Sequence, residues 1–161
     1  MEEGIERMSI QPKMSLVIAS DHAGFDFKET VKTHLVESLG LEVIDLGPKS
    51  PERCDYPDFA ARVARHVQRD RDNRGILICG SGIGMSMTVN RFTNVRGALV
   101  HNGLAARLSR QHNDANVLCL GARLIGIEVA KDAIAGFLET PFEGGRHQGR
   151  VEKIDGVTVD S

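Results

Sequence analysis

The chain has 161 residues, 41% hydrophobic and 26% charged, with a formal net charge of −2. That is enough for one domain with its own core, and the near-neutral balance gives no electrostatic reason to expect DNA or RNA binding. Cys54, Cys79 and Cys119 lack the dense, even pattern of a disulfide scaffold, no CxxC or His-x-x-His spacing points to zinc, and no apolar run is long enough to span a bilayer.

Residues 1–13, MEEGIERMSIQPK, are polar and mixed in charge. Without the apolar core of a signal peptide they read as an unstructured leader, with the folded domain covering 14–161 and a reducing cytoplasm as the default compartment. MSLVIAS (14–20) is a short apolar run of the kind buried on both faces of a parallel sheet. Val31, Leu35 and Leu39 then recur at helical spacing, with Gly40 placed to end the helix. LEVIDLG (41–47) is a second strand. DYPDF opens a helix with Pro57 in its first turn and a stripe of Phe59, Val63 and Val67. RGILICG (74–80) is the third strand and IGMSMTVNRF (83–92) the third helix. VRGALV (95–100) is the fourth strand, and Leu104 and Leu108 mark a helix that stops near HND. ANVLCLG (115–121) is the fifth strand, followed by a helix lined by Ile127, Ala130, Ile134 and Phe137.

Five β–α units predict a doubly wound parallel sheet with helices on both faces, a three-layer α/β/α arrangement. Ligands in such sheets sit beyond the carboxyl ends of the strands, which singles out the loops SDHAG, GSGIG, HNG and GAR. Residues 141–161, PFEGGRHQGRVEKIDGVTVDS, break the pattern and suit either packing on the same molecule or reaching to another.

The chemistry-bearing residues cluster at strand ends. Cys79 closes the third strand in ICGSGIG. A cysteine there is most often a small core hydrophobe, a reading that fits Cys119. Cys79 also faces a glycine turn at a helix start, where partial positive charge favours a thiolate, either a nucleophile or a base toward carbon. GSGIG lacks the Lys-Ser/Thr ending of a Walker loop and is a weak dinucleotide signal. The unshielded amides around Gly80, Gly82 and Gly84 suit a developing oxyanion, and Ser81 adds a hydroxyl that gives and accepts protons. His112, beside Asn113, is a candidate acid–base group titrating near neutrality, with His101 its rival. Arg123, with Arg146, His147 and Arg150 from GGRHQGR, would make a phosphate clamp if they converged; singly, each reads as a solvated cation. Asp21 and His22 are polar residues of the same strand-end kind.

Taken together, SDHAGF (20–25), DYPDFA (55–60), GILICGSGIGMSM (75–87), SRQHNDANVL (109–118) and EGGRHQGRV (143–151) resemble the RpiB/LacAB sugar-phosphate isomerases in order and spacing. The resemblance implies interconversion of D-ribose 5-phosphate and D-ribulose 5-phosphate through a cis-enediolate, a step of the pentose phosphate pathway, without metal or organic cofactor. Cys79 matches the base that removes the C2 proton, Ser81 a hydroxyl that moves protons between O1 and O2, and Gly80, Gly82 and Gly84 the enediolate cradle. His112 matches the ring-opening residue and Asn113 its neighbour. Asp21 and Tyr56 match sugar contacts, and His22, Arg123, Arg146 and Arg150 phosphate ligands, with His147 beside them. The resemblance also implies a homodimer or homotetramer whose site is shared between subunits, with residues 141–161 reaching the partner. HNGLAARL (101–108) departs from the more familiar pocket wall. Some relatives carry a glutamate base farther along the loop, whereas GMSMTVN has no carboxylate. The competing readings are an isomerase of allose or galactose 6-phosphate, a sugar-phosphate sensor without catalysis, and a cysteine hydrolase.

Overall fold

The computed structural model describes residues 14–157, so the leader expected over 1–13 and the last four residues lie outside the described residues. The strands are β1 (Leu16–Ser20), β2 (Val43–Asp45), β3 (Arg74–Cys79), β4 (Gly97–Leu99) and β5 (Val117–Gly121). They form one parallel sheet in the order β2-β1-β3-β5-β4. The helices are α1 (Phe25–Thr33), α2 (Tyr56–Val67), α3 (Ile83–Val89), α4 (Gly103–Asn113), α5 (Ile127–Glu139) and α6 (Gln148–Asp155). The chain runs from β1 outward to β2 and then returns to lay β3 on β1's other side. The switch point therefore falls between the carboxyl ends of β1 and β3, where Asp21 and Cys79 stand.

The period-two alternation of each central strand sorts its side chains onto the two faces. Leu16, Ile18, Ile76, Ile78, Leu118 and Leu120 meet Val31, Leu35, Ile134 and Phe137 on one face. Val17, Ala19, Leu77, Cys79 and Cys119 meet Phe59, Val63, Val67, Met85 and Val89 on the other. Each fully buried aliphatic side chain contributes about 1.5–3 kcal/mol, which makes this double layer the main source of stability.

Two expected helices differ in detail. The first helix passes into a π-helical turn over His34–Ser38, where the Leu39 amide donates to the His34 carbonyl at 3.1 Å. The extra residue rotates Leu39 out to 46% exposure, while Val31 and Leu35 stay buried. Gly40 ends the segment with φ of +65°, the left-handed stop its position predicted. Leu104 and Leu108 do lie on α4 but on its outer side. The inner side packs through Gly103, Ala106, Ser109 and Arg110, because α4 lies close to α5, where Gly136 faces Arg107.

Short edge strands replace the longer ones expected at 41–47 and 95–100. β4 pairs with β5 on one side only, and the outer groups of Gly97 are taken by the Asn90 amide, which donates to Gly97 O at 3.0 Å and accepts from Gly97 N at 2.8 Å. The segment after α5 folds back on its own molecule. Glu143 N donates to Gln111 O, Val151 is buried, and Asp155 takes a two-pronged contact from Arg96 at 2.9 and 3.1 Å.

Lys28 is fully buried yet charged, its ammonium donating to both oxygens of Asp45 and to Pro48 O at 2.9 Å. Burial alone would raise the Asp45 carboxyl, but hydrogen bonds from Lys28, Lys32 and Gly47 outweigh it and hold the group below the usual carboxylate range. Because the folded value is depressed, this contribution is complete above the unfolded value of about 3.9 and is lost as pH falls through the folded one. Lys28→Met is expected to cost about 2–3 kcal/mol, since Lys32 still pairs with Asp45. Urea unfolding at neutral pH measures it, and the loss should shrink below pH 4.

Candidate active site

Cys79 ends β3 with its side chain on the face covered by α2 and α3, and is 5% exposed. Its sulfur accepts a hydrogen bond from Gly82 N at 3.0 Å. Gly82 makes this possible by adopting φ of +77°, which turns the chain from the strand into α3 and points the amide back at the sulfur. The Ser81 hydroxyl oxygen accepts from Ile83 N at 3.2 Å, leaving its own proton free to donate. The other thiols contrast with Cys79. Cys119 is fully buried, and burial pushes its thiol far up. Burial, reinforced by the charges of Asp21, Asp55 and Asp58, also raises the Cys54 thiol.

Around this turn the structure gathers Asp21, His22, Tyr56 and Arg123. One Asp21 oxygen accepts from Gly24 N at 2.9 Å, so the carboxylate also braces the start of α1. The His22 ring is held by the Cys54 backbone, with Nδ1 3.0 Å from Cys54 O and 3.3 Å from Cys54 N. That anchor was invisible in the sequence, because 32 residues separate the partners. Tyr56 lies flat against Gly84, where an added Cβ would stand 2.5 Å from the ring. The Arg123 side chain lies over Gly80, 3.6 Å from where a Cβ would be, and Arg123 N donates to Gly80 O at 3.0 Å. In the HNG loop, Asn102 caps α4 by accepting from Ala105 N at 2.8 Å, and His101 points to solvent.

His112, Asn113, Arg146, His147 and Arg150 do not join that group. α4 runs antiparallel to the strands, so its last residues lie at the amino edge of the sheet, where Asn113 O accepts from Arg96 Nε just before β4. β5 spans five residues, so at about 3.3 Å per residue the two edges stand roughly 13 Å apart before side chains are counted. The four-cation clamp imagined from sequence therefore does not converge within one chain: Arg123 is at one edge, Arg146 and Arg150 at the other.

The second group is a unit in its own right. His147 closes a 3-10 turn (Gly145–His147) and stacks on His112, centroids 4.4 Å apart and planes 14° from parallel. Desolvation, then the neighbouring His112 and Arg146 charges, hold His147 below the ordinary histidine value. Arg146 Nε donates to His147 Nε2 at 3.5 Å, and Arg146 and Arg150 are exposed one helical turn apart. Glu143, 3.5 Å from His147 Nε2, is a neighbour of this group that the sequence reading missed. A cavity of about 380 Å³ at the same edge, lined by Arg71, Arg74, Arg110, Asp114 and Glu139, balances its guanidinium groups with carboxylates.

The fold and the cysteine turn define a three-layer α/β protein whose candidate chemistry lies beyond the carboxyl ends of a parallel sheet. A family model described as Ribose/Galactose Isomerase matches residues 16–154. The chain belongs to this ribose/galactose isomerase family. It is 46% identical over 142 residues to ribose-5-phosphate isomerase B of Escherichia coli, covering 88% of this chain and 95% of that protein. The solved ribose 5-phosphate isomerase of Thermotoga maritima is 48% identical with a TM-score of 0.86, covering 89% of this chain and 99% of that one. Ribose-5-phosphate isomerase B of Mycoplasma genitalium, solved with bound ribulose-5-phosphate, is 42% identical with a TM-score of 0.85, covering 90% of this chain and 96% of that one.

Proposed function

We propose that this chain is an aldose–ketose isomerase that interconverts D-ribose 5-phosphate and D-ribulose 5-phosphate by proton transfer through a cis-enediolate. The observation that carries the reading is the Cys79 sulfur at the switch point, set in a turn of unshielded amides within a family of ribose/galactose isomerases. Cys79 removes the C2 proton and returns it at C1. The amides around Gly80, Gly82 and Gly84 hold the enediolate oxygen, a kind of stabilisation worth about 3–4 kcal/mol per donor in acyl-transfer sites. Ser81 carries protons between O1 and O2. Asp21 and Tyr56 orient the sugar, and His22 and Arg123 take part in holding the phosphate.

The working unit in this proposal is a two-fold homodimer, whether or not dimers pair further. Each chain lends His112, Asn113, Arg146, His147 and Arg150 to its partner's Cys79, with His112 opening the sugar ring and the arginines gripping the phosphate. Two features support it. The two residue groups lie at opposite edges of one sheet, and Ile83 and Met87 on α3, with Leu104 and Leu108 on α4, stand 37% to 68% exposed. Apolar side chains aligned on outer helix faces suit burial against another copy.

None of the described helices is long and apolar enough to cross a membrane. The cytoplasm suits three free cysteines, one of which must stay reduced to act. The test is to incubate the protein with ribose, allose and galactose phosphates in D2O. Ribose 5-phosphate should turn over fastest, with deuterium entering at C2 of the aldose. Binding without exchange would mean a sensor, and faster turnover of a six-carbon phosphate would move the substrate.

A further inference from the structure

Two imidazoles and a carboxylate meet at the amino edge of the sheet. His112 comes from the last turn of α4, His147 from the 3-10 turn, and Glu143 from the stretch tied to α4 by its amide on Gln111 O. Their potential ligand atoms all lie within 4.8 Å of one another, and Glu143 Oε2 is 3.5 Å from His147 Nε2. Around a tetrahedral zinc ion with bonds of about 2.0–2.1 Å, ligand atoms sit about 3.3 Å apart. The Glu143–His147 spacing already approaches this, and side-chain rotation can close the remaining gaps.

We infer that His112, Glu143 and His147 form a site for a divalent cation of the imidazole-preferring kind, such as Zn²⁺, and that its occupancy inhibits the enzyme. Two local movements complete it. The stacked rings hinge from near-parallel into a V, and the exposed Arg146 guanidinium swings away from His147 Nε2 into solvent. Two nitrogens and one carboxylate leave a fourth position for water, as in open zinc sites. Imidazole suits zinc, nickel and copper, whereas magnesium and calcium prefer all-oxygen ligands and are refused. Arg146 and Arg150 oppose a cation here, so the negative charge of Glu143 decides whether one binds. Inhibition, unlike binding, rests on the role proposed for His112: a nitrogen bonded to a metal can neither take nor give the ring-opening proton.

Glu143 has no part in the proposed chemistry, which makes it the residue to change. Full-length protein titrated with Co²⁺ as probe should show the visible bands of a tetrahedral site without sulfur charge transfer. Glu143→Gln and His147→Gln should each weaken binding at least about tenfold, the low end for loss of even an outer-sphere partner. In chelator, Glu143→Gln should turn over substrate like the wild type, and its inhibition by Zn²⁺ should shift to concentrations at least about tenfold higher. Equal zinc sensitivity in Glu143→Gln, or a sulfur charge-transfer band that vanishes in Cys79→Ala, would overturn the site. Binding that depends on Glu143 but leaves turnover unaffected would overturn the inhibition and the role of His112, while the metal site itself would stand.

Discussion

Replacing Cys79 with alanine is expected to lower kcat by about a hundred- to ten-thousandfold, the usual contribution of a positioned base. Exchange of the C2 hydrogen with solvent should fall in step, because both require the same proton to leave carbon. Affinity for an unreactive pentitol phosphate should change little, since the proposed phosphate ligands, His22, Arg123, Arg146 and Arg150, are untouched. The fold should survive: the substitution removes one sulfur from a face still filled by Val17, Phe59, Met85 and Val89, a loss comparable to one methyl group at about 1 kcal/mol. Cys79→Ser is the sharper variant. Its oxygen can still accept from Gly82 N, so the turn keeps its shape, yet a hydroxyl is a far poorer proton acceptor and activity should remain lost. Cys119→Ala supplies the contrast. That thiol is fully enclosed, so its loss should lower stability and spare turnover. Normal turnover by Cys79→Ala would remove the base from the proposal.

Mixing two inactive proteins is expected to restore activity. Cys79→Ala lacks the base, and His112→Ala lacks the group proposed to be lent across the interface. Either homodimer then has two defective sites. A mixed dimer concentrates both defects in one site and leaves the other intact, so random reassociation should recover about a quarter of wild-type turnover. Arg146→Ala or Arg150→Ala in place of His112→Ala should behave alike, and alone should raise KM for the phosphorylated substrate far more than for a sugar without phosphate. Mild denaturation and refolding of the mixture, followed by the coupled isomerase assay, reads the result. No recovery, with mixed dimers demonstrated by mass, would place all the chemistry within one chain.

The architecture was legible because each β–α unit carried its own local signals. Buried runs such as LVIAS and the Phe59, Val63, Val67 stripe obey a single period, and glycine marks the stops. Legibility failed where the outcome depended on packing between distant elements. Leu39 was misplaced because a π-helical turn shifts register without any signal in residue type. Leu104 and Leu108 gave the helix but not its facing, since small residues and the close approach of α5 decide which side turns inward. In the candidate site, the Cys79 turn was readable from three glycines after a strand. The separation of His112 and Arg146 from it follows from the direction of α4, a matter of topology that residue spacing does not encode. Glu143 and the Cys54 backbone anchor of His22 left no local trace at all.

The small amide of Asn90 has a consequence for how these molecules meet. By occupying both outward-facing main-chain groups of Gly97, it removes from the β4 border one of the hydrogen-bonding pairs a neighbouring strand would need. Growth strand upon strand, which has no natural end, is made harder there. The two-fold contact through helices proposed above adds no strand to the sheet, and an assembly of that kind would stop at a fixed number of copies.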